Sequence, residues 1–381
     1  MSFNIWGLGF GIARDRGVRV RAFTKTLPDL NLDIFGMQEV WVEADRRRIA
    51  SRAAEAGLRY SHYFRSGMVG SGLMIVSRFP ILETNFRQFT LTSRPERFWE
   101  GDYFAGKGIG MARLQTPHGL LDFYTLHPVA QYAPDDEDPY IAHRSAAMYE
   151  AARFINVTSA QHPVIVTGDF NVTPNQPGYS IITTLACLND TYTTLHPNDP
   201  GITLSNTNPY NLHYRAPARL DYICVRGSEA LGISPLRAQI TLDDMPDNPG
   251  KPYSDHYAVL VDLQIESSQG APPVSDPRRV QYVLESFTRS LDDARLRARR
   301  RRLGLLARFA GMMSWSIGLA FRKQGTTAPL RAANTLLLMP FALVQGFLAI
   351  VVLANEIQGL RALKAVVDIR LRYELPLREQ E

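Results

Sequence analysis

Seven short apolar runs punctuate residues 1–266. They are "LDIFGMQEV", "SGLMIVSRF", "GIGMARLQT", "LLDFYTLH", "PVIVTGDF", "RLDYICV" and "YAVLVDLQI". Each has the length of a strand, and several are apolar almost throughout, as a sheet covered on both faces requires. Between them Arg14–Leu27, Arg46–Ala56 and Tyr140–Ile155 read as helices. The alternation predicts an α/β domain over 1–266 with buried sheets and helices outside. No internal repeat is present.

After residue 266 the pattern changes. "ESSQGAPPVSDP" has little to bury and predicts a linker over 267–279. A basic juxtamembrane helix is expected over 280–302 and a C-terminal helix, on the cytosolic side, over 355–381. Between them, 303–354 holds two hydrophobic segments. The stronger, "TLLLMPFALVQGFLAIVVLA" (335–354), carries no charge. At about 1.5 Å per residue it reaches roughly 30 Å, the thickness of bilayer hydrocarbon. The weaker, 303–321, is interrupted by Arg308 near its N-terminal end, where the side chain can snorkel. It reads as a full span, a re-entrant helix or an interfacial one. A hairpin of two spans would put both flanks on one face, and the Arg run 295–302 places that face in the cytosol.

Charge sharpens the division. The chain is net +5, yet residues 271–381 carry 18 Lys+Arg against 9 Asp+Glu, so 1–270 is mildly acidic. A catalytic part without a basic surface argues against a nucleic-acid partner. Arg295–Arg302 would attract anionic lipid. Two cysteines, Cys187 and Cys224, make no disulfide framework and lack metal-site spacing. The N-terminal stretch "MSFNIWGLGFGIARDRG" does not have the form of a secretory signal.

Candidate chemistry gathers where strands end. "FNIWG" offers Asn4, "GMQEVW" Glu39, "LHPVAQY" His127, "GDFN" Asp169 and Asn171, and "YSDHYAVL" Asp255 and His256. A turn of Asp, Asn and Gly accounts for "GDFN" by itself, but the set together suits divalent-metal cleavage of a phosphoester. A phosphodiester is anionic, so its charge must be neutralised, water activated and the leaving oxygen protonated. A hard cation such as Mg²⁺ takes carboxylate and amide oxygens, which Glu39 and the nearby Asn4 supply. His256 titrates near neutrality and suits a general base. Asp169 can orient that imidazole or the water. Asn171 can donate to a phosphoryl oxygen. His127 is placed to protonate the leaving alkoxide or to stabilise the transition state.

The order Asn, Glu, His, Asp-x-Asn, Asp-His resembles the endonuclease/exonuclease/phosphatase superfamily. The stretches "NIWGL", "QEVW", "YFRSGMVGSGL", "GDYFAGKGIG", "YIAHR", "GDFN", "RLDY" and "SDH" resemble, more narrowly, the neutral sphingomyelinases and inositol phosphosphingolipid phospholipases C. The two hydrophobic segments followed by "NEIQGLRAL" resemble that branch too. The resemblance implies two packed mixed β-sheets flanked by helices, a DNase I-like four-layer sandwich, plus a C-terminal membrane hairpin. It implies a membrane-anchored phospholipase C that splits sphingomyelin or an inositol phosphosphingolipid into ceramide and a phosphorylated headgroup. Mg²⁺ would sit at Glu39, with His256 as base and Asp169 and Asn171 at the phosphate. Asp102 and Lys107 of "GDYFAGK" would act as a pair, Lys107 reaching the phosphate; a loose surface ion pair is the plainer alternative. Loops 128–138 and 205–216 would choose the headgroup. The competing functions are a nuclease or inositol-phosphate phosphatase on the same fold, and a non-catalytic membrane-bound homologue.

Two departures stand out. The family's Thr-His-x-His-Ala reads Leu126, His127, Pro128, Val129, Ala130 here, with Val129 in place of the second His. And only three residues precede Asn4, so either the first strand is short or the recorded start lies downstream of the real one.

Overall fold

The structure, a computed structural model, describes all residues except 135–136, 160, 212–215, 269, 271–273, 322–328, 330–337 and 375–381. Nearly all of the expected polar connection 322–334, the start of the second apolar segment and the end of the C-terminal helix therefore lie outside the described residues. So do parts of the two expected headgroup loops. The chain divides into two compact units. One is Met1–Thr92 with Phe104–Val283; the other is Ser93–Tyr103 with Leu284–Glu381.

The first unit holds twelve strands in two six-stranded sheets among the described residues. Sheet one has the order β11 (Leu231–Thr241), β12 (Ala258–Ser267), β1 (Ser2–Asn4), β2 (Ile34–Gln38), β4 (Met74–Ser77), β3 (Tyr60–Tyr63). Sheet two runs β5 (Ile81–Gln88), β6 (Gly108–Thr116), β7 (Gly119–Leu126), β8 (Val164–Asp169), β10 (Asp221–Arg226), β9 (Asn189–Asp190). β1 with β2 and β7 with β8 are parallel and the other pairs antiparallel, so both sheets are mixed. All seven expected strands are present. The first strand is three residues long and still pairs on both sides.

Three helices begin or end a few residues from the expected places, as α1 (Arg16–Thr26), α2 (Glu43–Glu55) and α3 (Ile141–Thr158). Packing explains the layers. Phe3, Phe23, Phe35, Val20 and Ile49 join the outer face of sheet one to α1 and α2. Between the sheets lie Ile75, Leu114, Phe123, Ile165, Ile223 and Val259. α3 is buried along most of its length. At the centre the sheets approach closely: a Cβ on Gly36 would stand 2.3 Å from Thr167 Oγ1, and Gln38 Nε2 donates to Thr125 Oγ1 at 2.9 Å.

A further helix, α4 (Pro277–Phe321), runs unbroken through the expected basic and weaker apolar segments. A 34-residue helical stretch, Met339–Arg372, is long and apolar enough to cross a membrane by length and composition. Lys364 pairs with Asp292 and Arg301 with Glu356. Leu305 and Leu306 pack on Leu348, Ala349 and Val352, and Phe309 lies against Gly346. Partners rise along one helix as they fall along the other, so the two run antiparallel.

Candidate active site

The sheet topology explains why scattered motifs meet. β1 and β2 are parallel, and Asn4 pairs with Gln38, which places Glu39 one residue beyond it. β7 and β8 are parallel, and Leu126 pairs with Gly168, so His127 and Asp169 leave their strands side by side. β10 runs antiparallel to β8 and begins there, with Asp221 directly opposite Asp169. His256 lies just before β12. The ends of both sheets open on one rim.

Asn4 Nδ2 donates to Glu39 Oε1 at 3.1 Å and to Asp169 Oδ2 at 3.0 Å, bridging the two sheets. Its Oδ1 accepts from the Trp6 backbone N–H at 3.0 Å. The amide nitrogen, rather than the oxygen expected of a ligand, therefore faces the carboxylates. His127 Nε2 stands 3.5 Å from Asp169 Oδ2 and 3.9 Å from Glu39 Oε1. Lys107 Nζ lies 3.2 Å from the same nitrogen and donates to Pro128 O at 3.1 Å. His256 Nε2 is 3.8 Å from Asp169 Oδ2, and its Nδ1 is 2.7 Å from Asp221 Oδ2. Asp255 accepts from Ser254 Oγ at 3.1 Å. Asp102 falls in the other compact unit.

The "GDFN" turn turns out to be both a turn and part of the site. Asn171 N–H donates to Asp169 Oδ1 at 2.9 Å, while Asn171 Nδ2 reaches Pro128 O at 3.4 Å. Asn171 has left the strand: its φ is 51°, and Glu39 has φ 60°. Left-handed backbone at non-glycine residues is a strained arrangement that clusters at functional sites. Gly7 lets the chain pass over Glu39, since a Cβ there would stand 2.4 Å from the Glu39 carbonyl oxygen. Val129 is buried, so the position of the family's second His is filled by an apolar side chain.

Electrostatics follow from burial and crowding. Burial, then the charge of Asp255, pushes the Glu39 carboxyl up to about 7. Burial also raises Asp169. Burial and the Lys107 ammonium hold His127 well below the usual imidazole range, so it is neutral and accepts from Lys107. Burial would lower His256 as well, but Asp221 and Asp169 outweigh it and raise the imidazole to about 10. Two carboxyl groups with raised proton affinity, Glu39 and Asp169, are a donor set that wants a cation. Asp169, Asp221 and His256 offer donor atoms within 4.8 Å of one another, a grouping able to hold a metal.

Asp221 was not singled out from the sequence. Its signal is the acid inside "RLDYICV", a charged residue at the start of a buried strand. It lies at the partner end of β8 and holds His256 Nδ1.

A layered α/β sandwich with acids, amides and imidazoles converging at one rim is the architecture of a hydrolase class that works on phosphoesters. The sequence profile of the Endonuclease/Exonuclease/phosphatase family matches residues 1–256, and the chain belongs to that family. A putative neutral sphingomyelinase of Drosophila melanogaster is 29% identical over 274 residues, 70% of this chain and 60% of that one. The inositol phosphosphingolipids phospholipase C of Schizosaccharomyces pombe is 36% identical over 52% of this chain and 46% of its own. Sphingomyelin phosphodiesterase 2 of Rattus norvegicus is 30% identical over 72% of this chain and 66% of its own. The chain thus spans less than two thirds of each of these relatives. Among solved structures, humanized D. rerio TDP2 superposes with TM-score 0.54 at 17% identity, over 69% of this chain and 97% of that one. SmcL superposes with TM-score 0.53 at 18% identity, over 68% and 96%. These two share the fold.

Proposed function

We propose that this chain is a membrane-anchored, Mg²⁺-dependent phospholipase C that hydrolyses a sphingophospholipid to ceramide and a phosphorylated headgroup. The observation that carries the reading is the cluster of Glu39, Asn4, Asp169, His127 and His256 at one rim, in a chain similar to proteins named for sphingolipid cleavage.

The residues divide the work by chemistry. Glu39 suits a hard cation, because a carboxyl pushed up to about 7 gains most when a positive charge replaces its proton. Mg²⁺ held there would neutralise the phosphoryl oxygens and ease His256 toward its neutral form. His256 Nε2 takes the proton of the attacking water, and Asp221 fixes the ring through Nδ1. Asn171 and Lys107 face the same space and suit the anionic phosphoryl group. His127 accepts from Lys107 and so holds the ammonium where it can stabilise charge on the leaving oxygen. Asp255 tunes Glu39 by charge.

Anchorage rests on the apolar stretch Met339–Arg372 packed antiparallel on α4. Leu343, Phe347 and Ile350 leave most of their side chains uncovered. Arg295–Arg302 would meet anionic headgroups on the cytosolic face.

The test is a substrate panel on the purified full-length chain. Mg²⁺-dependent release of phosphocholine from sphingomyelin vesicles, or of inositol phosphate from inositol phosphosphingolipid, is the expected result. Glu39→Ala and His256→Ala should abolish it while the protein stays folded. Nicking of plasmid DNA or hydrolysis of soluble inositol phosphates without lipid turnover would overturn the reading.

A further inference from the structure

Arg19 is wholly buried, and among the described residues no carboxylate forms an ion pair with it. A buried guanidinium is costly unless every donor is met. Here main-chain carbonyls meet it. Nε donates to Arg14 O at 2.9 Å, Nη1 to Ile5 O at 2.7 Å and to Tyr253 O at 3.1 Å, and Nη2 to Trp6 O at 2.9 Å. Its Cζ lies 5.0 Å from the centre of the Trp6 ring and 5.3 Å from that of Tyr210. Ile5 and Trp6 directly follow Asn4. Tyr253 precedes Asp255 and His256 by two and three residues.

The consequence runs through Trp6, whose φ is 48°, a left-handed backbone that a bulky residue adopts only when held there. The Arg19 fork donates to its carbonyl and covers its ring. In that conformation the Trp6 N–H points at Asn4 Oδ1. With the amide oxygen so occupied, Asn4 turns Nδ2 toward Glu39 and Asp169. We infer that Arg19 is a positioning residue for the candidate cation site: its guanidinium holds Trp6, Trp6 sets the orientation of the Asn4 carboxamide, and the carboxamide spaces Glu39 from Asp169. The inference rests on the reading of Glu39 as the cation-binding acid. A lysine keeps the charge but cannot span carbonyls from separate segments with a planar fork.

Two measurements on the full chain test this. The first uses metal-free protein and nuclear magnetic resonance of the Asn4 carboxamide, assigned by its loss in Asn4→Ala. Slow exchange with solvent is expected in the parent chain and fast exchange in Arg19→Lys. Fast exchange in the parent chain, or unchanged slow exchange in the variant, overturns the inference. The second is a double-mutant cycle read as Mg²⁺ affinity by calorimetry. Arg19→Lys should weaken binding about tenfold beside Asn4, and less than twofold beside Asn4→Ala. Equal weakening in both backgrounds would mean a merely structural role and sink the claim. If Arg19→Lys does not fold, Arg19→Gln takes its place, and the parent-chain exchange still decides. Should the parent chain bind no Mg²⁺, the proposed function fails, while the carboxamide exchange continues to judge Arg19.

Discussion

His256 Nδ1 stands 2.7 Å from Asp221 Oδ2, and Asp221 is the residue that pairs with Asp169 across β8 and β10. Two carboxylates opposite each other on antiparallel strands repel. The imidazole lies between them and relieves that repulsion, which is why its proton is held so firmly. Asp221→Asn would remove the anchor without changing shape. We expect kcat to fall about 10²–10⁴-fold with little change in KM and no loss of thermal stability. A steady-state assay on vesicles, beside a melting curve, checks this; full activity would remove Asp221 from the machinery.

The site also ties metal binding to pH. Glu39 is pushed up to about 7 by burial and Asp255, from 4.5. His256, despite burial, is raised from 6.5 to about 10 by Asp221 and Asp169. Both groups keep their proton to higher pH in the folded chain than in the unfolded one. Their contribution to the metal-free fold is therefore complete at low pH and is lost as pH rises through those folded values. A divalent cation replaces the protons. The rise in Tm on adding saturating Mg²⁺ should therefore be larger near pH 8 than near pH 5, with other titrating groups cancelling between the paired melts. An equal rise at both pH values would contradict this linkage.

Gly36 marks the closest approach of the sheets. Gly36→Ala would drive a methyl group to within 2.3 Å of Thr167 Oγ1 in a layer that also contains Thr125. Overpacking of this kind costs about 1–3 kcal/mol. Chemical denaturation of the variant should show the midpoint lowered at an unchanged slope, and Mg²⁺ affinity should weaken as Asn4, Glu39 and Asp169 are pushed apart.

The hairpin makes a separate prediction. Leu343 and Phe347 are 57% and 65% exposed on the apolar stretch, and a charge at a span's centre costs about 2.5–3.5 kcal/mol. Leu343→Asp with Phe347→Asp should move the chain from the floating vesicle fraction to the soluble fraction in a density gradient. Retention with the vesicles would show that another surface carries the attachment.

How far the sequence could be read depended on burial. "GIGMARLQT" is β6 to the residue, because its first five residues are all buried and apolar, with only Arg113 and Gln115 near its end reaching solvent. β3 (Tyr60–Tyr63), β5 (Ile81–Gln88) and β11 (Leu231–Thr241) carry no such pattern. They are edge strands with a solvent-facing side, and their mixed residues match no single period. Asn4, Glu39, His127 and Asp169 were legible because each is polar at the end of an apolar run, and His256 because it completes an Asp-His pair just ahead of one. Asp221 was harder, since it begins its run rather than ending it and only antiparallel pairing brings it to the rim. Arg19 gave no signal at all. In "RGVRVRAF" it is one arginine among several, and nothing local says which of them points inward.

Trp6, Glu39 and Asn171 share a backbone region where glycine would rest more comfortably. Each therefore withholds some stability from the native state in exchange for a fixed side-chain direction. Selection of this chain for heat tolerance alone, with turnover ignored, should admit glycine at these three places. The survivors would melt later and hydrolyse nothing, a trade between endurance and function written into three dihedral angles.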